Sequence, residues 1–213
     1  EMQRSLVGSE MCIRDRVYQI LLSTGMRIGE LTALQWDDID FENKEIHIRH
    51  SMQSAYLNGK KILNMTTPKT SNSIRDIPMF DGVEKLFVFW KEKQDKAKKE
   101  LGRRWRLPKE FENLVFTSSL GSPLTRYVLS NDINKIVSIL NKNEEYLAEQ
   151  ENRVPKKFPK LHPHSFRHTF ATRCFEKNLK PVFIMSIMGH SNYETTLSYT
   201  HSVSYTHLRA HET

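Results

Sequence analysis

Apolar residues change their spacing several times along the chain, and each change marks an element. Val17, Ile20 and Leu21 form a helical stripe that Ser23, Thr24 and Gly25 interrupt, before Ile28, Leu31 and Leu34 resume at the same spacing. This predicts two helices, with Arg27 at the start of the second beside a glycine turn. "KEIHIRHS" alternates through Ile46 and Ile48 as a strand, and "GKKILNM" and "SIRDIPM" read as two more around the turn "TTPKTSN". Lys69 is thereby expected at a hairpin tip. Residues 83–101 read as an amphipathic, very basic helix carrying Leu86, Phe87 and Trp90. Thr125 is a suitable cap for a helix bearing Leu129, Ile133, Ile136, Val137 and Leu140. The expected fold class is mostly α with a small antiparallel β-sheet (α+β).

A basic, proline-containing loop, "NRVPKKFPKLHP", then leads into the stretch from His162 to His201, which holds five histidines, two arginines and two tyrosines. His164 and Arg167 lie three apart in a helical segment whose apolar positions, Phe166, Phe170, Ala171 and Cys174, face inward, so both polar groups can reach one cleft. A second short helix is predicted from Pro181 to a C-cap at Gly189, with His190 immediately after it. Ser191 or Asn192 can cap a last helix that carries Tyr199.

Composition narrows the function. A chain of 213 residues with 38% hydrophobic content is long enough for one full domain of an ordinary globular kind. No apolar run approaches the ~18 residues of a membrane span, and the N-terminus lacks a signal-peptide pattern, so the expected location is the cytoplasm. Cys12 and Cys174 make neither a disulfide framework nor a zinc pair, and Cys174 reads as a core residue. The net charge of +7 is uneven: residues 151–180 set eight Lys/Arg against Glu151 and Glu176. Such clustering favours a polyanionic partner, nucleic acid before membrane. "SLVGSEMCIRDR" and "VSYTHLRAHET" have no helical or strand periodicity and resemble translated sequencing-adapter sequence. The expected organisation is therefore a non-native segment over 1–16, a truncated catalytic domain over 17–202, and a second non-native segment over 203–213.

Arg27, Lys69, His164, Arg167, His190 and Tyr199 together supply two guanidiniums, an ammonium, two imidazoles and a phenol. Phosphoryl transfer to a protein side chain needs such a set. Arginine forks match non-bridging phosphate oxygens and stabilise most as charge builds in the transition state, without a metal. A tyrosine of reference pKa about 10 needs a base or a strongly positive site to act as nucleophile, and His164 and the arginines can provide it. A departing 5′-oxygen needs a proton, for which Lys69 is a suitable general acid.

At these residues the chain resembles the tyrosine recombinases, or phage-integrase family. "TGMRIGELTALQWDDID" is similar to the family's first box with Arg27, "TPKTSNSIRDIPM" to its lysine hairpin with Lys69, and "HPHSFRHTFAT" to its His-x-x-Arg box with His164 and Arg167. "MGHSNYETTLSYTH" resembles the box that holds the second histidine, His190, and the nucleophile nine residues later, Tyr199. The resemblance covers about Val17 to His201 and is nearest to integrases of phages and conjugative transposons. It implies the tyrosine-recombinase catalytic-domain fold and cleavage of double-stranded DNA through a 3′-phosphotyrosyl intermediate. Attack by a 5′-hydroxyl of another strand follows, with no cofactor, ATP or metal. A homotetramer on synapsed DNA is implied for the full-length protein, along with N-terminal DNA-binding domains and a docking tail that are expected to lie outside residues 17–202.

Competing readings attach to the same residues. Arg27 can pair with Glu30 at i+3, and Lys69 can be a solvated turn lysine. His164 and His168 have the spacing of a metal pair, but no intervening Glu makes HExxH and no third ligand is specified, so no metal site is expected. His168 is expected to support the site, and His162 and His201 to lie at its edge or on the surface. Tyr193 and Tyr205 are rival nucleophiles, one at the start of the last helix and one in the suspect tail. The alternatives to a recombinase are a type IB topoisomerase, a catalytically silent DNA-binding fragment and a metal-dependent nuclease.

Overall fold

In the computed structural model, residues 15–67 and 73–199 are described, with the side chains of residues 60 and 61 left aside. Helix α1 covers residues 15–24, and Gly25 (φ +63°) ends it with its N–H on the Leu21 carbonyl at 3.1 Å. A Cβ on Gly25 would sit 2.3 Å from the Phe170 ring, so this turn requires glycine for both its conformation and its packing. Arg16, from the aperiodic opening stretch, is helical and lays its guanidinium 3.6 Å over the Phe89 ring. Helix α2 (Ile28–Ala33) follows at once, with Arg27 as its extended N-cap.

Five strands come next: β1 (Ile39–Asp40), β2 (Glu45–Ile48), β3 (Ser51–Leu57), β4 (Lys60–Thr66) and β5 (Arg75–Pro78). They form two antiparallel sheets, one of order β1-β2-β5 and one of β3-β4. This corrects the predicted hairpin. "GKKILNM" pairs with 51–57 through Ser51↔Thr66 to Leu57↔Lys60, while "SIRDIPM" pairs with β2 through Ile46↔Ile77. The reason is the two-residue turn Asn58-Gly59, both at positive φ (50° and 75°), the turn chemistry that closes a hairpin compatible with strand twist. The turn that contains Lys69 lies outside the described residues.

Helices α3 (Asp81–Leu101), α4 (Arg126–Gln150), α5 (Pro163–Glu176), α6 (Pro181–Met188) and α7 (Tyr193–Leu197) complete the fold, which is mostly helical with small antiparallel sheets, as the periodicity predicts. Three predicted caps form. The Thr125 hydroxyl accepts the Val128 N–H, Gly189 closes α6 in the left-handed region (φ 61°, ψ 47°), and Asn192 Oδ1 accepts the Glu194 N–H. Tyr199 differs from expectation: α7 stops at Leu197, and Tyr199 sits in the turn beyond it, its N–H on the Thr196 carbonyl.

The main core joins helices α1 to α6 and the three-stranded sheet, and a smaller cluster of Ala33, Met52, Phe111 and Leu114 takes in strand β3. Val17, Ile20 and Leu21 of α1 meet Phe87 and Trp90 of α3, Leu129 and Ile133 of α4, and Ile184 and Ile187 of α6. Phe116 packs against Phe87 and Trp90 at ring distances of 6.2 and 5.3 Å. Ile136 and Leu140, on the predicted apolar stripe of α4, remain 42% and 40% exposed, while Val137 between them is buried.

Candidate active site

The turn before α2, strand β3, the first turn of α4 and the start of α5 enclose a cleft of about 830 Å³. Arg27, His164 and Arg167 line it together, along with Arg126 and Tyr127. Helical spacing explains the pair on α5: Phe170, Ala171 and Cys174 pack into the core while His164 remains exposed at the rim. Arg167 is different, being 1% exposed.

The last turn of α6 organises the arginines. A helix leaves its final carbonyls without intrahelical partners, and cations are favoured there. Three successive carbonyls each take a guanidinium: Ile187 from Arg75 Nε, Met188 from Arg167 Nη2, and Gly189 from Arg27 Nη2 at 3.2 Å. Arg167 Nη1 also donates to the Gly25 carbonyl at 2.8 Å, which ties the α1–α2 turn to α6. The Arg167 Nε–H is buried and has no acceptor among the described residues.

Glu30, 3% exposed, lies between two of these arginines. Its Oε1 accepts from Arg27 Nη1 at 2.8 Å and Arg75 Nη1 at 3.1 Å; its Oε2 accepts from the Arg27 backbone N–H at 2.7 Å and Arg75 Nη2 at 2.9 Å. Burial works to raise the Glu30 carboxyl, but the hydrogen bonds and charge of Arg75, followed by those of Arg27, hold it below its ordinary value. The i+3 pairing of Arg27 with Glu30 is therefore present, and it leaves Arg27 with a side chain 39% exposed at the cleft.

Arg167, His190 and His164 respond to burial and to this charge. Burial, then the neighbouring Arg27, lowers Arg167 to about 10, so it remains charged at neutral pH. Burial, then Arg167, Arg27 and Arg75, lowers His190 to about 4, and its Nδ1 lies 2.9 Å from the Thr196 hydroxyl. His164 is lowered as well, by burial and then by Arg167, His168, Arg27 and Arg126. Both imidazoles are neutral at pH 7, so the fixed positive charge is carried by guanidinium.

Tyr199 is 4% exposed and packs between two histidines. The His168 ring meets it edge-on at 4.5 Å, and the His190 ring lies parallel to it at 5.9 Å. The structure thus brings Arg27, His164 and Arg167 into one cleft and sets His190 and Tyr199 beside it, while Lys69 lies outside the described residues. Arg75 and Thr196 were not singled out from the sequence, and Glu30 was named there only as a pairing partner of Arg27. Arg75 had a legible signal: it shares the inward parity of Ile77 on β5, where a charge needs a buried partner. Among the described residues, the group that could hold a metal is Glu45, His47 and Asp76, on the three-stranded sheet and apart from the cleft lining. There, His47 Nδ1 already contacts Asp76 Oδ1 at 2.6 Å across the β2–β5 register.

The model of the phage integrase family matches residues 5–205. The chain belongs to the phage integrase family. This integrase-family chain is 29% identical over 203 residues to a XerC-like tyrosine recombinase of Caldanaerobacter subterraneus, covering 92% of the chain and 48% of that protein. It is 31% identical over 183 residues to the transposase of transposon Tn916 from Enterococcus faecalis, covering 84% of the chain and 40% of that protein. The chain thus spans about half the length of the curated relatives it matches. Its fold matches the solved Tn1549 transposon integrase in complex with circular intermediate DNA at a TM-score of 0.69 and 31% identity. That match covers 86% of this chain and 54% of the other.

Proposed function

We propose that this chain is the catalytic part of a site-specific DNA recombinase of a mobile element. It would cut and rejoin double-stranded DNA through a phosphotyrosine. The observation that carries the reading is the convergence of Arg27, His164 and Arg167 on one cleft, with two guanidiniums on one buried carboxylate and an Arg167 Nε–H that has no acceptor among the described residues. A buried donor without a partner costs roughly 1–3 kcal/mol, and an anionic oxygen is a suitable acceptor for it. The Tn1549 integrase, similar in fold, is complexed with DNA, which supports the same polymer as substrate here.

In this reading the Tyr199 oxygen attacks the scissile phosphorus, forming a 3′-phosphotyrosyl bond as the bond to the 5′-oxygen breaks. Arg27 and Arg167 bind the non-bridging oxygens and stabilise the charge that builds on them, with neutral His164 available to take the phenolic proton. His190 would hydrogen-bond a phosphate oxygen, and Lys69 is assigned the proton delivered to the leaving 5′-oxygen from its residue type and motif. A 5′-hydroxyl of a second strand then attacks the phosphotyrosine and releases Tyr199. No step draws on a metal, a cofactor or ATP. In the full-length protein two synapsed sites would be held by a homotetramer acting in the cytoplasm. No helix among the described residues is long and apolar enough to cross a membrane. The domain is assigned to residues 17–202.

The test is trapping on a nicked suicide DNA carrying the element's attachment site, with the Tyr199→Phe variant beside the parent on a denaturing gel. A covalent adduct that disappears in the variant is the expected result. An adduct that persists would move the nucleophile elsewhere, and DNA binding without any adduct would favour a silent module. Strand exchange between two sites, in place of relaxation of one, separates recombinase from topoisomerase.

A further inference from the structure

We propose that Arg75 is a positioning residue that sets how much positive charge Arg27 presents to the scissile phosphate, by holding the far side of the Glu30 carboxylate. The inference rests on the recombinase reading above. Arg75 and Glu30 have side chains only 6% and 3% exposed, and Arg75 grips both carboxylate oxygens with both Nη atoms. Its Nε is directed to the Ile187 carbonyl, and its Nη1 also reaches the Ser73 carbonyl at 3.1 Å. Arg75 does not line the cleft, so it reaches the reacting atoms only through what it holds.

Charge accounts for what it does there. A buried carboxylate facing one arginine forms a neutral pair, and an arginine so paired offers a phosphate little net charge. Were Arg27 the sole partner of Glu30, its guanidinium would be compensated and drawn back toward the carboxylate. With Arg75 on the other side, two guanidiniums share one negative charge. The excess falls on Arg27, whose side chain is 39% exposed at the cleft. The carbonyls that hold the three arginines, Ile187, Met188 and Gly189, are consecutive. Arg75 therefore fixes the same backbone that seats both cleft arginines.

The experiment is a double-mutant cycle of Arg75→Met and Glu30→Gln in the whole chain. Three readouts are followed: the single-turnover rate of adduct formation at saturating nicked DNA, the DNA Kd, and inorganic phosphate affinity from arginine Nε–H resonances. In the parent background Arg75→Met is expected to lower the rate about tenfold or more, as loss of preorganised positive charge does, with the DNA Kd changed less than about threefold. With Glu30→Gln in place there is no charge left to share, and Arg75→Met should then change the rate by less than about threefold. A purely structural role predicts the same factor in both backgrounds, which would overturn the proposal; so would a loss of DNA affinity as large as the loss of rate. If Arg75→Met alone does not fold, the double variant, which removes both charges of the buried pair, is read against Glu30→Gln. A rate well below that of Glu30→Gln would again be fatal. Absence of any Tyr199-dependent adduct from the parent refutes the recombinase reading instead. The cycle is then decided on phosphate affinity, where the same dependence on Glu30 is expected and equal losses overturn it.

Discussion

Replacing Arg167 by lysine keeps the charge and removes the fork. Arg167 is 1% exposed, donates to Gly25 O at 2.8 Å through Nη1 and to Met188 O through Nη2, and so links α5 to two other segments. A lysine ammonium is a single point on a flexible stem and cannot reach both carbonyls. One charge-assisted hydrogen bond is lost, at about 1.5–3 kcal/mol, and one buried carbonyl is left without its donor. A net destabilisation of about 2–4 kcal/mol follows, which for a chain of this size lowers Tm by roughly 5–15 °C. At the cleft the planar contact proposed for phosphate would be lost as well, and the rate of adduct formation should fall about 10²–10³-fold, the range seen when one preorganised donor is removed. Nonspecific DNA affinity and its salt dependence should hardly change, since the charge remains. Calorimetry and single-turnover trapping read the two effects separately. A variant that melts within about 2 °C of the parent and cleaves at the parent rate would refute the role given to the fork.

Two further perturbations address the surroundings of the site. Gly25→Ala places a Cβ 2.3 Å from the Phe170 ring at φ +63° and should destabilise by about 2–4 kcal/mol, measured by urea titration; a loss below about 0.5 kcal/mol would show that the α1–α2 turn adapts freely. For His190, the folded pKa of about 4 lies below the unfolded value near 6.5, so the unfolded chain takes the proton first. Stability is then present above pH 6.5 and lost as pH falls toward 4. His190→Gln should flatten the Tm profile in that window, and a profile as steep as the parent's would count against burial of a neutral imidazole among Arg167, Arg27 and Arg75.

Much of this architecture was legible because local signals agreed with packing. The caps at Thr125, Gly189 and Asn192 form where the residue types predict, and His164 and Arg167 reach one cleft because α5 buries the apolar positions Phe170, Ala171 and Cys174 beyond them. The strand pairing was misread for a physical reason: the alternation in "GKKILNM" identifies a strand but not its partner. Its partner is fixed by Asn58-Gly59, a stronger turn signal than the longer "TTPKTSN". The roles of Glu30 and Arg75 depend on contacts 45 residues apart in sequence. No periodicity encodes such a pairing, although a charged residue at the inward parity of β5 called for one. Tyr199 was expected on a helix that ends two residues earlier, since Asn192 marks where α7 starts and nothing comparable marks its end.

The arginine cluster has a consequence for the protein without DNA. Three guanidiniums gather at the end of α6 with one carboxylate, Glu30, bonded to two of them, and burial first and then Arg27 lower Arg167 to about 10, so the cluster holds more positive charge than Glu30 offsets. A folded state that gathers like charges in this way is destabilised until an anion binds. Inorganic phosphate should therefore raise Tm beyond its general salting effect, by an amount set by occupancy: about 2.7 kcal/mol at a hundred times its Kd. The control is Arg27→Gln, which removes an exposed cleft cation and spares Arg75 and Arg167. Measured against chloride of equal ionic strength, the phosphate-specific rise should be present in the parent and largely absent in the variant. An equal rise in both would mean that phosphate acts on the surface at large, and that the positive charge around Glu30 is balanced within the protein and not held in reserve for a ligand.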